Sequence, residues 1–242
     1  MYVYGVVRAG VHLRPVAAAG VDGRAVSRAA GGDLAAVIAD GVAEPVRPSR
    51  RNVMAHSAVL QEVVAQADVL PMRFGVVMPT LDAVREELLG AHAEQLMAEL
   101  DAVADCVELG LTVTSLEQAQ LQRLLAGDRA LREARGRTES VSDRIALGER
   151  VARGLEGSRA AVADRVVEAL APLAVDAALD EPRHADMEAS VAFLVERRRV
   201  ASFEVAVESL SAELGTDRRV RLVGPLPPYH FVDLGLEAAA WA

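Results

Sequence analysis

The sequence contains no lysine, so all 26 of its basic residues are arginine. Without a lysine amine the chain cannot supply a P-loop lysine, form a Schiff base or attach pyridoxal phosphate. Aromatic residues are also scarce, at 3%, so alanine, valine and leucine must build the core. The formal charge of -9 argues against nucleic acid or an anionic membrane as a partner, because binding to either needs a positive surface.

Cysteine and long apolar runs are lacking as well. The single cysteine, Cys106, excludes an internal disulfide and a thiolate metal cage, and its apolar neighbours predict a small buried side chain. No apolar run approaches the roughly 18 to 20 residues that span a bilayer. The first residues show no basic stretch followed by a long apolar one, so we expect no signal peptide. These features predict a soluble intracellular protein without a membrane partner.

The 242 residues, of which 52% are hydrophobic, suit two domains of modest size. Residues 1–104 predict an N-terminal α+β domain that ends in a connecting helix. Its predicted elements are a strand at 2–7, a hairpin of strands 25–30 and 34–40, a helix at 49–67 with Ser49 as its N-cap, a strand at 69–77 and a helix at 80–103.

Residues 105–242 predict a C-terminal domain with a long helical insertion and a tail. Its predicted elements are a strand at 106–114, a helix opened by a Ser115–Gln118 capping box, breaks near Gly127 and Gly136, a helix at 141–170, strands at 174–179 and 187–196, a helix at 197–214 and a strand at 220–223. This βαββαβ order is that of a ferredoxin-like domain. The fold class is therefore α+β, with the N-terminal domain a smaller, related α/β sandwich.

Residues that carry chemistry do not form a recognisable site. The five histidines have no metal-binding spacing, and His56 falls on an apolar helix stripe where a buried, hydrogen-bonded role is expected. Glu86, Glu87 and Glu188 are expected on solvated surface, and the arginine cluster at 197–199 is expected to form a solvated basic patch. No catalytic residue, metal site or cofactor site is predicted.

Two segments stand out from this ordinary background. In VLPMRFGVVMP, Arg73 interrupts an apolar strand, so it must reach a sheet edge or pair with a carboxylate. In GPLPPYHFVDL, three prolines precede Tyr229 and Phe231, which share one face by period two. Such a rigid aromatic pair suits packing against another domain or binding to a partner, and the sequence leaves both open.

With these two segments and the opening MYVYGVV strand, the chain resembles the gas vesicle protein F/L family (GvpF/GvpL). The VLPMRFG string and the terminal PPY-F element are the specific parts of the resemblance. The positions that match the family's recurrent motifs, as possible partner contacts, are His56, Pro71, Arg73, Phe74, Gly75, Pro228, Tyr229 and Phe231.

The resemblance implies a non-enzymatic gas vesicle protein of two α+β domains, located in the vesicle or the cytoplasm. Its implied partners are the hydrophobic shell protein and other minor gas vesicle proteins, and its implied role is to nucleate the vesicle and limit shell-protein aggregation. The alternative is a regulatory module that binds a small molecule, since ferredoxin-like pairs bind metabolites at their interfaces. An enzyme is conceivable only if the fold brings Arg73 to His56.

Overall fold

The computed structural model describes residues 1–42, 46–135 and 140–234, without the side chains of residues 134 and 135. The chain forms two compact units. Unit 1 contains Met1–Glu108, Leu194–Arg197 and the described residues from Gly224 onwards, and unit 2 contains Leu109–Phe193 and Arg198–Val223. The predicted boundary at residues 104 and 105 stays a prediction.

The first sheet lies in unit 1 and has four strands in the order β2-β3-β1-β4. The strands are β1 (Tyr2–Arg8), β2 (Val26–Gly31), β3 (Leu34–Ala39) and β4 (Leu70–Pro71). The predicted hairpin is correct, since β2 and β3 pair from Val26 opposite Ala39 to Gly31 opposite Leu34. Gly5 of β1 lies opposite Pro71, and a Cβ atom there would come within 2.7 Å of the Leu70 carbonyl oxygen. Only glycine therefore allows β4 to pair so closely.

The helices of unit 1 are α1 (Arg50–Val64), a short α2 (Leu81–Ala83) that continues as a π-helix (Val84–Gly90), and α3 (Ala93–Ala102). The N-cap prediction for α1 is correct, because the Ser49 hydroxyl accepts a hydrogen bond from the Asn52 backbone N–H. The predicted continuous helix at 80–103 is wrong, since the π-helical turns end at Gly90 and α3 starts at Ala93. Val53 of α1, although apolar, is 40% exposed.

The second sheet has the order β6-β7-β5-β8, which is the ferredoxin-like arrangement. Its strands are β5 (Cys106–Thr114), β6 (Asp176–Leu179), β7 (Met187–Glu196) and β8 (Arg219–Leu226). The first sheet follows the same spatial order, but a loop with one 3₁₀ turn (Val21–Gly23) replaces the first crossover helix. The predicted α+β fold, with a ferredoxin-like C-terminal part and a related N-terminal part, is confirmed.

The helices of unit 2 are α4 (Glu117–Gly127), α5 (Arg129–Arg135), α6 (Val141–Leu170) and α7 (Val200–Leu214). The break near Gly127 is confirmed, and the break predicted near Gly136 lies outside the described residues. A capping box does form, but at the start of α6, where Ser140 and Asp143 bond each other's backbone N–H. The box predicted at Ser115 is wrong, because the N-cap of α4 is Leu116, which makes no side-chain cap.

Two predicted strands differ in extent from those observed. The strand expected at 69–77 is reduced to β4 and an isolated bridge between Tyr2 and Val77, because Gly75 adopts a positive φ of 101° between them. The last strand is longer than expected and continues through Pro225, a residue that an edge strand tolerates.

Each unit has its own apolar core. In unit 1 the core includes Cys106, whose thiol is buried as predicted, and burial raises the pKa of this thiol. In unit 2 the buried apolar residues come mainly from β5, β7, α6 and α7, and the rings of Phe193 and Phe203 lie 5.2 Å apart between centroids. With few aromatics, the rest of the core is aliphatic, as the composition requires.

Candidate functional site

His56 lies at the centre of the motif residues of unit 1. It projects from α1 and is 3% exposed, so the prediction of a buried, hydrogen-bonded histidine is confirmed. Its Nδ1 atom lies 2.8 Å from the Tyr2 hydroxyl oxygen, and its Nε2 atom lies 3.0 Å from the Tyr229 hydroxyl oxygen and 3.2 Å from the Met72 carbonyl oxygen. Both ring nitrogens are therefore engaged.

The donor and the acceptor of each hydrogen bond around His56 can be assigned. The backbone N–H of Gly75 donates to the Tyr2 hydroxyl oxygen over 3.2 Å, which leaves the Tyr2 proton for His56 Nδ1. His56 Nδ1 is then an acceptor, so Nε2 carries the ring proton and donates towards the Met72 carbonyl and Tyr229. A neutral imidazole satisfies every partner.

The titration properties of this cluster agree with a neutral histidine. Burial lowers the pKa of His56 to about 4, an effect that the bond to the Met72 carbonyl only partly opposes. Burial likewise raises the pKa of Tyr2 and of Tyr229 above the ordinary value for tyrosine. At neutral pH these three groups are uncharged, which makes the cluster a structural joint and a poor general base.

Aromatic rings enclose the imidazole on several sides. The Tyr4 ring stacks on it at 5.5 Å, and the Phe74 ring meets it edge-on at 5.8 Å between centroids. The Tyr4 hydroxyl in turn accepts a hydrogen bond from the Val21 backbone N–H over 2.8 Å. Three of the few aromatic residues of the chain (Tyr2, Tyr4 and Phe74) thus pack around one histidine.

The segment at 224–234, which includes the end of β8, is fixed within unit 1 by several contacts besides Tyr229. Its His230 donates from the backbone N–H and from Nδ1 to the two carboxylate oxygens of the buried Glu108, at 3.0 and 2.8 Å. The Gln61 side chain of α1 donates to the Pro225 carbonyl over 2.5 Å. Phe231 packs against the unit 1 core. The segment at 224–234 is therefore part of unit 1 and not a free tail.

The structure brings some predicted site residues together and separates others. His56, Phe74, Gly75 and Tyr229 belong to the cluster just described. Pro71 is used in the pairing of β4 with β1, Pro228 is buried, and Phe231 packs in the core. Arg73 is exposed and forms no hydrogen bond or ion pair within the part of the chain that the structure describes.

We call three of these residues, each of them exposed or half-buried, the aromatic–arginine patch: Arg73, Phe74 and Tyr229. The Tyr229 side chain is fixed through its hydroxyl, yet the residue is 41% exposed. Phe74 is half-buried against His56, and Arg73 precedes it in the chain with a free guanidinium group. The patch therefore combines fixed aromatic surface with an unpaired positive charge.

Unit 2 holds a charged cluster that the sequence did not reveal. Glu188, expected on solvated surface, is 2% exposed and receives hydrogen bonds from Ser115, Arg123 and Arg218. Burial alone would raise the pKa of Glu188, but the bonds from Ser115 and Arg218 and the nearby positive charges outweigh it and lower the pKa. Ser115 is thus occupied with Glu188, which explains why it does not cap α4.

The other charged residues considered in the sequence differ in their exposure. Glu86 and Glu87 are exposed, as predicted. Arg197, predicted to be a solvated member of the basic cluster, is half-buried and contacts Asp68 at 3.4 Å and the Ala67 carbonyl at 3.3 Å. In the described residues, no three His, Cys, Asp or Glu side chains lie together as a metal site would require. Within the same residues, no helix has the length and apolar character needed to cross a membrane.

Comparison with known proteins gives a consistent result. The family model described as "Gas vesicle synthesis protein GvpL/GvpF" matches residues 1–233. The chain is 36% identical to gas vesicle protein F of Streptomyces sp. (strain CB03234), with 96% of this chain and 99% of that protein covered. It is 28% identical to gas vesicle protein F2 of Halobacterium salinarum, with 85% and 79% covered.

A solved structure shares the fold. The crystal structure of the gas vesicle protein GvpF from Anabaena sp. PCC7120 matches with a TM-score of 0.83 at 23% identity, over 96% of this chain and 98% of that one. The likeness thus covers the two four-stranded sheets described above.

Proposed function

We infer the function of this chain from the family to which it belongs, the gas vesicle GvpL/GvpF family. We propose that it binds the hydrophobic shell protein, helps to nucleate the vesicle and limits aggregation of the shell protein. Membership of the family gives the chain a gas vesicle associated role. The identity of the partner as the shell protein, and the role of the chain in nucleation, are the parts that we propose.

The observation that carries the proposal is the aromatic–arginine patch. Tyrosine and arginine are over-represented among the residues that dominate the energy of protein interfaces. Tyr229 is fixed by His56 before any partner arrives, so binding to it loses little conformational freedom. Arg73 has no partner within the described residues and can donate hydrogen bonds to a carboxylate of the bound protein.

The charge of the chain suits a carrier of apolar protein. A shell subunit that is not yet assembled exposes apolar surface and strand edges, which drive aggregation. A binding protein with a net charge of -9 keeps such a complex soluble through repulsion between complexes. We place this activity in the cytoplasm and on the growing vesicle, together with other minor gas vesicle proteins.

A non-enzymatic role is part of the proposal. Both ring nitrogens of His56 are engaged in bonds that hold unit 1 together, and its lowered pKa makes it a weak base at neutral pH. Arg73 is exposed at the surface, whereas the imidazole is enclosed by Tyr2, Tyr4 and Phe74. This arrangement favours a binding surface over an active site.

Co-expression with the shell protein tests the proposal. The chain should raise the soluble fraction of the shell protein, and Arg73→Glu and Tyr229→Ala should each reduce that gain. The matched controls are Arg150→Glu and Val205→Ala, which change an exposed arginine of α6 and an exposed apolar residue of α7. Circular dichroism of each purified variant establishes that it is folded.

Two outcomes contradict the proposal. If the shell protein pellets equally with and without this chain, the role in limiting aggregation is wrong. Cells can also be made to carry Arg73→Ala or His56→Ala in place of the original protein. If both variants give normal numbers of vesicles, neither residue is needed for nucleation.

A further inference from the structure

Strand β8 offers an open sheet edge in unit 2. The strand lies at one end of the order β6-β7-β5-β8, and its residues 219–223 belong to unit 2. The other edge strands are shorter than the eight residues of β8: β2 has six residues, β4 has two and β6 has four. An edge strand carries a row of backbone groups that can pair with another chain.

Two arginines distinguish this edge. Arg219 and Arg221 are exposed and, two residues apart on a strand, lie on the same face. Neither side chain forms a hydrogen bond or an ion pair within the described residues. Arg218 is different, since both its Nε and Nη2 atoms bond the buried Glu188. The edge therefore carries two free positive charges on a chain whose net charge is -9.

These charges select what can pair with the edge. A second copy of β8 would bring arginines together across the two strands, and like charges at opposed positions destabilise a strand pair. An added strand with acidic side chains would instead form cross-strand ion pairs with Arg219 and Arg221. Val220 and Leu222, half-buried on the other face, would pack beside apolar side chains of the same strand.

We propose that residues 219–223 of β8 bind, by strand addition, an extended segment of a partner protein in which acidic and apolar residues alternate. Addition of a strand to an exposed sheet edge is a known mode of peptide recognition. The inference rests on the proposed function, because it assumes that this chain binds another protein. An open cleft of about 670 Å³, whose lining carries both signs of charge (Asp186, Asp217, Arg218 and Arg219), adjoins the start of the strand. It leaves room for the bound segment to continue past Arg219.

A peptide experiment on the full chain tests this inference. The probe is a short fluorescent peptide in which glutamate and valine alternate, and the comparison peptide has arginine in place of glutamate. Fluorescence anisotropy should show that the acidic peptide binds. The double variant Arg219→Glu/Arg221→Glu should weaken its binding on the order of tenfold. The matched control, Arg144→Glu/Arg150→Glu, makes the same change of charge on the exposed face of α6 and should leave binding unchanged.

Backbone pairing is tested with two further acidic peptides. Each is N-methylated at every second residue, one on the odd and one on the even positions, so that each lacks the donors of one strand edge. One of them should lose binding and the other should keep it. If both bind like the parent peptide, association is electrostatic only and strand addition is wrong.

The remaining outcomes separate this inference from the proposed function. Equal binding of the acidic and basic peptides overturns it, even if the chain still keeps the shell protein soluble. Sedimentation that shows a dimer abolished by Arg219→Glu/Arg221→Glu would make the edge a contact between copies and also overturn it. Specific peptide binding together with no effect on shell-protein solubility would support the edge site and contradict the proposed function.

Discussion

The Nε2 atom of His56 and the hydroxyl oxygen of Tyr229 lie 3.0 Å apart although 173 positions separate them in the sequence. The pair joins the first long helix of the chain to the segment that follows its last strand. It also links buried structure to surface, because His56 is almost fully buried whereas Tyr229 is 41% exposed. A change on the buried side of this bond should therefore be felt on the exposed side.

The two tyrosine hydroxyls that flank His56 should differ in their contribution to stability. Tyr2→Phe leaves both the buried Nδ1 atom of His56 and the Gly75 N–H without this partner, so it should lower the free energy of unfolding by about 1–3 kcal/mol. Tyr229→Phe should cost only about 0.5–1.5 kcal/mol, because Nε2 retains the Met72 carbonyl as an acceptor. Urea titration of both variants measures the difference, and a larger cost for Tyr229→Phe would contradict the proposed direction of the hydrogen bonds.

The lowered pKa of His56 predicts a specific dependence of stability on pH. A histidine with a pKa near 6.5 when unfolded and about 4 when folded binds its proton more readily in the unfolded state. Its contribution is therefore complete above pH 6.5 and is lost as the pH falls from 6.5 through 4. The total loss is on the order of 3 kcal/mol, as follows from 1.36 kcal/mol for each pKa unit.

His56→Gln isolates this effect, because glutamine does not titrate. Unfolding free energies of the original protein and of the variant should be compared between pH 7 and pH 4. We expect the curve of the variant to be flatter throughout this range. Parallel curves would mean that the pKa of His56 is the same in the folded and the unfolded protein.

Much of the fold could be predicted from local pattern, but the contacts between the residues of the site could not. The predicted bounds of the strands Cys106–Thr114 and Met187–Glu196 agree with the observed ones to the residue, because apolar side chains recur at every second position along both. Helix α6 was likewise predicted at its observed ends, between Ser140 and Pro172. Where one pattern dominates a long segment, tertiary structure has little to alter.

The failures share a physical cause, namely competition from distant partners. Ser115 lies at a position where the sequence predicts a helix cap. Its hydroxyl instead donates to the buried carboxylate of Glu188 and accepts a hydrogen bond from the Arg123 guanidinium. Glu188 itself looks like ordinary strand surface, since nothing local shows that two arginines from other elements neutralise it. The same holds for Tyr229, whose recognition as a possible contact did not reveal its bond to His56.

The Glu188 cluster should be important for the stability of unit 2. Glu188→Gln leaves Arg123 and Arg218 without their shared buried carboxylate, and we expect a loss of about 3–5 kcal/mol in unfolding free energy. Asp217→Asn provides the comparison, because Asp217 also pairs with Arg123 but has a side chain that is 47% exposed. The loss there should be below about 1 kcal/mol. Similar losses in the two variants, measured by urea titration, would show that burial of Glu188 is not decisive.

The pair of His230 and Glu108 should control how firmly the segment at 224–234 is held. His230→Ala removes the bond from Nδ1 to the buried Glu108 carboxylate, whereas the bond from the backbone N–H to the same carboxylate remains. Hydrogen exchange of the backbone amides in this segment should become faster on the order of tenfold, as the loss of about 1.4 kcal/mol of local stability implies. Amides of α7 in unit 2 should exchange as before. The control is His184→Ala, which changes an exposed histidine. Equal acceleration across both units would mean that the variant lowers global stability, and it would contradict a local role for this pair.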